Sequence, residues 1–272
     1  MDLQTVVAMV AVVLTVGYAG FRVSPPRFAD YPESGKTPRT VPLPGGLPKP
    51  VETYYRHAYG DAIPVVDSVV ITGRGKIRPF GLWMPARFRF THDAGKGYRH
   101  YIEATWFALP VMRVNELFVN GTGVMEMPWG EMGGPQIEQA MNVSLWAELS
   151  SSAPSVFLTD SRVKWEPVDD ETALLRVPRA SGSAPGDTYV VRFNPDCTRI
   201  DSMAAMRFKA AADERKVLWT ASTVVSEPIG HAGVPAMGSA TWADSGRPWA
   251  FFKAEDIRYD VDVSDYITAR GL

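Results

Sequence analysis

One helical segment between two groups of strand-like segments is the feature that most constrains how this chain folds. Residues 134–149 place apolar side chains along one helical stripe: Ile137, Ala140, Met141, Leu145 and Leu149. About ten segments rich in β-branched and aromatic residues, most of them joined by short turns, lie before and after it. A sheet of such strands must bury one face, and the helix is available to cover it. We therefore predict an α+β fold in which a large, curved antiparallel sheet, a half-barrel, packs on one long helix.

Two turns support this sheet. Asn120-Gly121 separates residues 112–119 from residues 122–127, and both turn residues tolerate the positive φ angles of a tight hairpin. A second predicted hairpin is closed by residues 93–97 and places His92 and His100 on facing strands. The sequence Gly73-Arg-Gly-Lys76 lacks the strand-to-helix context of a phosphate-binding loop, so we expect a turn at a strand end.

The N-terminal segment is apolar enough to enter a membrane. Residues 5–21 contain no charged side chain, and a helix of this length spans about 25 Å against a hydrocarbon core of about 30 Å. Only Asp2 is charged before the apolar run, whereas a cleavable signal sequence begins with basic residues. Gly17-Tyr18-Ala19 would still suit cleavage. We predict that residues 1–22 form a single uncleaved transmembrane anchor, with a signal segment as the alternative.

A proline-rich linker follows the anchor. Residues 22–50 hold eight of the 22 prolines, which favour extended conformations, so we assign residues 23–50 to a semi-rigid linker and residues 51–272 to a single α+β domain. The excess of basic residues in the linker would allow contact with anionic lipid, although a solvated linker without a partner is the simpler alternative. Basic residues after the anchor favour the cytoplasm for the domain, but long domains cross membranes largely regardless of charge. We predict an extracytoplasmic (periplasmic) domain, with the cytoplasm as the alternative.

Composition excludes several functional classes. A formal net charge of -2 gives no electrostatic footprint for nucleic acid. The single cysteine, Cys197, rules out internal disulfides and thiolate metal clusters, and the preceding Asp196 should raise its pKa and keep it unreactive. The four histidines show no metal-binding spacing, and no nucleotide-binding loop or nucleophile elbow is present. We expect neither a metal nor a cofactor.

Methionine and tryptophan are concentrated between residues 83 and 146, where the sheet and the helix should meet. Methionine adapts its shape to ligands, and ligand pockets are mostly apolar. An ordinary filled core is the alternative interpretation of the same residues. The predicted ligand-contact residues are Met84, Phe88, Phe90, Trp106, Met112, Met125, Met127, Met141 and Trp146.

Acidic residues cluster in the segment 165–171, which reads Trp-Glu-Pro-Val-Asp-Asp-Glu. Paired carboxylates can serve as general acid and base, so a hydrolase using Glu166, Asp169 or Asp170 with His57 is an alternative function. The structural explanation is a turn in which Trp165 enters the core and the acids bond the backbone.

Four motifs together resemble an uncharacterised bacterial family, a domain of unknown function usually preceded by a membrane segment. They are Leu47-Pro-Lys-Pro-Val-Glu-Thr-Tyr-Tyr-Arg-His57, the helix end Leu145-Trp-Ala-Glu-Leu149, Val163-Lys-Trp-Glu-Pro-Val-Asp-Asp170, and Val191-Arg-Phe-Asn-Pro-Asp196 before Arg199. The resemblance extends from residue 47 to nearly the end of the chain. It implies no reaction and no catalytic residues. The expected architecture is also similar to lipoprotein carriers of the LolA and LppX type, which hold acyl chains in a cavity, although fold alone does not imply function.

These observations predict a membrane-anchored, non-enzymatic protein that binds a lipid or another apolar ligand between sheet and helix. The expected partners are membrane lipid and an apolar small molecule, with no nucleic acid, and a protein partner is left open. Besides the hydrolase, the remaining alternative is a structural module of an envelope complex, which would have a filled core and a large exposed apolar patch.

Overall fold

The N-terminal helix begins the chain and ends against the domain. In the computed structural model, which describes residues 2–179, 185–229 and 234–270, helix α1 spans Leu3–Gly20. It is long and apolar enough to cross a membrane, and it is almost entirely exposed. The indole Nε1–H of Trp106 donates to the carbonyl oxygen of Gly17 at 2.8 Å, and the Phe107 N–H donates to that of Gly20 at 2.9 Å. The Trp106 ring occupies the space that a side chain at residue 20 would need.

The first half of the domain consists mainly of strands. In chain order the elements are β1 Arg39–Pro42, α2 Lys49–Tyr59, β2 Ala62–Val65, β3 Ser68–Ile77, β4 Met84–Asp93, β5 Gly97–Trp106, β6 Leu109–Val119, β7 Thr122–Met127 and β8 Gly130–Gly133. Among the described residues, strands β1 and β2 pair with each other in a separate two-stranded sheet. Two helices follow: α3 Pro135–Leu149 and α4 Val156–Thr159.

The second half contains the remaining strands. They are β9 Lys164–Pro167, β10 Thr172–Pro178, β11 Pro185–Phe193, β12 Ile200–Arg207, β13 Val217–Ile229, β14 Val234–Trp242 and β15 Arg247–Tyr259. A 3₁₀ turn over Tyr266–Thr268 ends the described chain.

Strands β3 to β15 form one antiparallel sheet of 13 strands in the order β8-β7-β6-β5-β4-β3-β15-β14-β13-β12-β11-β10-β9. The chain passes from β8 at one edge through α3 and α4 to β9 at the other. Thirteen strands about 4.8 Å apart would make a flat sheet about 58 Å wide, whereas the 15 residues of α3 extend only about 22 Å. Yet α3 contacts β7 and β8 near one edge and β11 and β12 near the other. The sheet therefore curves around α3, which confirms the predicted fold class, with more strands than expected.

The predicted hairpin between β6 and β7 is confirmed. Asn120 and Gly121 have φ angles of 53° and 79°, so both turn residues lie in the left-handed region. The glycines of the Gly73-Arg-Gly-Lys76 sequence, however, lie inside strand β3, and the expected strand-end turn is wrong. The carbonyl oxygens of Lys253 and Phe251 on β15 approach so closely that neither Gly73 nor Gly75 has room for a Cβ atom.

Helix α3 is buried in the concave face of the sheet. Its apolar side chains, including Ile137, Met141, Leu145 and Trp146, are almost fully buried. The hydroxyl of Tyr189 on β11 donates to the carbonyl oxygen of Val143 at 2.6 Å. Burial of the apolar side chains of this helix against the sheet stabilises the fold.

The convex face of β4 and β5 is covered by chain from both ends of the sequence. The predicted linker contributes Phe28, which is 3% exposed and lies 4.5 Å below the guanidinium of Arg87. Arg99 is fully buried, donates to Asn115 at 2.8 Å and stacks on the Tyr266 ring at 4.3 Å. Part of the segment 23–50 thus packs on the domain, and the domain boundaries given above stay a prediction.

Candidate ligand-binding cavity

A cavity of about 130 Å³ separates the concave face of the sheet from helix α3. An engineered apolar cavity of about 150 Å³ in another protein binds benzene, so this space accepts a ligand group of similar size. The apolar wall is contributed by strands from both sides of the β3–β15 junction. Its large side chains are Phe88, Phe90, Ile102, Trp219, Trp249 and Phe252.

Strand periodicity explains why the phenylalanines face inward. Alternate residues of β4 point to opposite faces of the sheet, so Phe88 and Phe90 face the cavity while Arg87 and Arg89 face outward. The ring centroids of Phe88 and Phe90 are 4.4 Å apart, and Phe252 contacts Phe90 edge-on at 5.0 Å. This aromatic cluster gives the cavity a rigid apolar wall.

A buried cation, Arg207, lies in the same cavity. It is 8% exposed, and its guanidinium lies 5.0 Å from the Trp219 ring and 5.6 Å from the Trp242 ring. Its Nε–H has no hydrogen-bond partner among the described residues. The acid Asp201, which also lines the cavity, is paired with Arg199 at 2.7 Å. A buried guanidinium without a paired anion is costly, so this geometry suits an acidic group from outside the chain.

Two histidines and a glutamate meet at the end of the cavity nearest to β5. The Nε2 atom of His100 is 2.5 Å from a carboxylate oxygen of Glu148 on α3, and the Nε2 atom of His92 is 3.4 Å from the same oxygen. The Nδ1 atom of His100 lies 3.2 Å from Glu116 on β6. His100, Glu116 and Glu148 line the cavity, whereas His92 is fully buried behind them.

This cluster is electrostatically coupled. Burial alone would lower the pKa of His100, but Glu148 and Glu116 raise it above its usual value. Burial would raise the pKa of Glu148, but His100 and His92 hold it below its usual value. Burial lowers the pKa of His92. The arrangement is therefore an ion pair between His100 and Glu148 beside a neutral His92.

The residues predicted to contact a ligand fall into three groups. Phe88 and Phe90 line the cavity. Six methionines and tryptophans belong to the surrounding core without lining the cavity: Met84, Met112, Met141 and Trp146 are buried, and Met125 and Met127 are partly buried. Trp106 lies at the end of β5 against α1. A ligand contact by any of these residues stays a prediction.

The acids of the segment 165–171 lie outside the cavity. Glu166 pairs with Arg176 at 2.6 Å, and Asp170 pairs with Lys49 at 3.0 Å on the protein surface. Asp169 accepts from the backbone N–H of Glu171 at 2.9 Å, as the turn interpretation expects, while Trp165 packs against the core. None of these acids lines the described cavity, and the structure gives a hydrolase built on them no support.

Sequence patterns missed most of the polar groups in the cavity. Met203, Ala205 and Arg207 occupy alternate positions of β12 that face the core. A single charged residue at a position where the alternation predicts an apolar one is the signal that could have revealed Arg207. Glu116 is the direct cross-strand partner of His100 in the β5–β6 hairpin, so the register of that hairpin could have revealed it. Glu148 carries no such signal, because it reaches His100 only through the packing of α3 on the sheet. The pKa of the Cys197 thiol is raised as predicted, although burial is the main cause and the predicted charge of Asp196 a minor one, and the thiol lies outside the cavity.

Comparisons with known proteins give one matching family and distant similarities to solved structures. A family of unknown function (DUF6544) matches residues 38–254, which agrees with the resemblance to an uncharacterised family described above. No curated protein sequence matches significantly. Among solved structures, a LolA superfamily protein from Nitrosomonas europaea is 12% identical, with 81% of this chain and 96% of that chain covered at a TM-score of 0.46. A DUF1329 family protein from Desulfovibrio piger is 13% identical, with 79% and 94% covered at a TM-score of 0.43.

Proposed function

Since the chain belongs to the family of unknown function DUF6544, we propose a function from the cavity itself: non-catalytic binding of an apolar ligand that carries an acidic group, such as a fatty acid or an acidic lipid. The apolar part contacts the phenylalanine and tryptophan wall, and the acidic group pairs with Arg207. The observation that carries the proposal is the burial of Arg207, without a paired anion among the described residues, beside the aromatic wall of the cavity.

The size of the cavity limits the ligand. A volume of about 130 Å³ holds one ring or a short alkyl segment, and the rest of a longer chain must project through the open side of the cavity. Each buried CH₂ group contributes about 0.8 kcal/mol. Affinity should therefore rise with chain length until the cavity is full and then level off.

We propose that the protein works at a membrane surface, on the extracytoplasmic side. Helix α1 supports an anchor, and the tip of the β5–β6 hairpin lies directly beside its end. This tip exposes apolar side chains: Trp106, Phe107, Leu109 and Val111. Aromatic side chains next to the end of a membrane-spanning helix favour the membrane–water interface. This position would place the domain against the lipid from which a ligand enters.

The test compares acidic and neutral ligands. Full-length protein in detergent is titrated with a fluorescent undecanoic acid probe, which is then displaced by decanoate or by decanol. Hydrogen bonds to a charged group are worth about 1.5–3 kcal/mol, so decanoate should bind at least about tenfold more tightly than decanol. The Arg207→Met variant should lose this preference and still bind decanol.

The matched control is Arg192→Met, because Arg192 is an exposed arginine on the neighbouring strand β11. It should keep the preference of the wild type. Failure of the wild-type protein to bind the probe, or an unchanged preference in the Arg207→Met variant, would refute the proposal.

A further inference from the structure

We propose that His92, His100 and Glu148 form a binding site for a divalent first-row transition-metal ion. The ligand atoms are the Nε2 atoms of the two histidines and one carboxylate oxygen of Glu148, and these atoms lie within 4.8 Å of one another. Two imidazoles and one carboxylate are a donor set that proteins use for Zn²⁺ and Fe²⁺. This inference is independent of the ligand proposed above, because it uses none of the contacts of Arg207.

The positions of the three side chains follow from the fold. In the β4–β5 hairpin, His92 pairs with Tyr98 and Phe90 pairs with His100, so the two histidines are diagonal neighbours on the concave face. Their ring centroids are 5.4 Å apart. Helix α3 crosses above them and supplies Glu148 near its end. Because the hairpin and the helix are both packed in the core, the three donors are held together before any ion binds.

The donor atoms converge on one point, where His100 and Glu148 already form a short ion pair. The Nε2 atoms of both histidines and the Oε2 atom of Glu148 are buried, and none has a hydrogen bond of normal geometry among the described residues. The ion pair leaves His92 with both ring nitrogens buried and without a hydrogen-bond partner among the described residues, which is unfavourable. A cation at the centre of the three would satisfy all of them at once.

One separation between donor atoms already suits an ion, and a second needs a small adjustment. Tetrahedral bonds of about 2.0–2.1 Å place neighbouring ligand atoms about 3.3 Å apart. The separation of 3.4 Å between His92 and Glu148 already fits. The separation of 2.5 Å between His100 and Glu148 must widen by about 0.8 Å. The Glu148 side chain is 23% exposed and can make this shift by rotation towards the cavity.

A carboxylate behind His100 completes the arrangement. The Nδ1 atom of His100 lies 3.2 Å from Glu116, and the hydroxyl of Tyr98 donates to the same carboxylate oxygen at 3.3 Å. Histidine ligands usually donate their second ring N–H to a carboxylate in this way, which fixes the tautomer and orients the ring. Glu116 is therefore a positioning residue for His100.

Since three protein donors leave a tetrahedral ion one free position, and His100 and Glu148 line the cavity, that position would open towards the cavity.

The experiment measures metal binding directly. Full-length protein is purified in detergent with a tag that contains no histidine, stripped with EDTA and dialysed against Zn²⁺. Elemental analysis should then find about one zinc ion per chain. Substitution of Zn²⁺ by Co²⁺ should give the visible absorption bands of a four-coordinate site, which separates this site from loose surface binding.

Variants assign the ligands. His100→Gln and Glu148→Gln should each weaken Zn²⁺ binding at least 100-fold, and Glu116→Gln should weaken it about 10–100-fold through loss of ring orientation. The matched control is His57→Gln, which removes an exposed histidine on α2 and should bind Zn²⁺ like the wild type. Circular dichroism establishes that each variant is folded.

The wild-type measurement alone keeps the proposal falsifiable if a variant fails to fold. A wild-type chain that retains no zinc, or that shows no Co²⁺ absorption bands, would overturn it. Equal zinc binding by the wild type and a folded Glu148→Gln variant would also overturn it. If the wild type binds zinc but does not prefer decanoate over decanol, only the proposed function is refuted. If it prefers decanoate but does not bind zinc, only the metal site is refuted.

Discussion

A larger side chain placed in the cavity tests whether the space between sheet and helix is empty. It should increase the free energy of unfolding if the space is empty and decrease it if the space is filled. Ala221 on β13 lines the cavity and lies between Met203 and Ala240 in the register of the sheet. Ala221→Leu adds three carbon atoms to this space, worth at most about 2.4 kcal/mol.

After allowance for imperfect fit, Ala221→Leu should increase the free energy of unfolding by about 1–2 kcal/mol. It should also weaken binding of the fluorescent acid probe at least about tenfold, because the ligand and the new side chain compete for the same volume. Stability is measured by urea unfolding of lipid-stripped protein in detergent, followed by tryptophan fluorescence.

The matched control is Ala205→Leu, since Ala205 is a buried alanine on β12 that does not line the cavity. At residue 205 a leucine side chain has no free space to occupy. Ala205→Leu should therefore lower the free energy of unfolding by about 1–3 kcal/mol. If Ala221→Leu destabilises the protein as much as Ala205→Leu does, the space is filled and the binding cavity is refuted.

Three other predictions concern stability and orientation. Burial would raise the pKa of Glu103, but hydrogen bonds from Arg87, Arg113 and Tyr101 hold it below its usual value. The ionised Glu103 carboxylate therefore stabilises the folded state at any pH above the pKa that this group has in the unfolded chain. This stabilisation is lost as the pH falls through the pKa of Glu103 in the folded state. The destabilisation caused by Glu103→Gln in urea unfolding should therefore shrink between pH 6 and pH 3, unlike the effect of Glu214→Gln at an exposed turn; a pH-independent difference would contradict this. Gly73→Ala should lower the free energy of unfolding by more than about 2 kcal/mol, because the carbonyl oxygen of Lys253 occupies the position that the new Cβ atom would need. The control Gly238→Ala should be nearly neutral, because the nearest atom to its new Cβ atom is 3.6 Å away. Equal effects of the two substitutions would refute the close approach of Lys253 to Gly73. With Cys197 replaced by Ser, a cysteine introduced at the partly exposed Glu52 should react with an impermeant maleimide in intact cells; labelling only after lysis would place the domain in the cytoplasm.

The sequence predicted the elements of this fold better than their assembly. The 134–149 stripe, the Asn120-Gly121 turn and the alternation in β4 depend on local spacing, and each corresponds to an observed feature. The strands with the weakest patterns, such as β8 Gly130–Gly133, form mainly because neighbouring strands offer backbone partners. Local patterns cannot reveal such pairing.

The cavity was harder to predict because its polar groups come from distant parts of the chain. His100, Glu148 and Arg207 are far apart in sequence and meet only because the sheet curves around α3. The concentration of methionine and tryptophan indicated where the sheet and helix meet, but most of those side chains fill the core around the cavity. Composition therefore indicated the region in which the sheet and the helix meet. It could not indicate the cavity, because the position of the cavity depends on how the core side chains pack in three dimensions.

The central claim is that the space between sheet and helix holds an acidic apolar ligand. Native mass spectrometry of the full-length protein, extracted from its own membranes in mild detergent, tests this claim directly. The wild type should carry a bound small molecule that organic solvent releases and that analysis identifies as an acid with an alkyl or aromatic part. The Ala221→Leu and Arg207→Met variants should carry much less of it. A wild type without a bound molecule, or one whose bound molecule is equally abundant in both variants, would contradict the account.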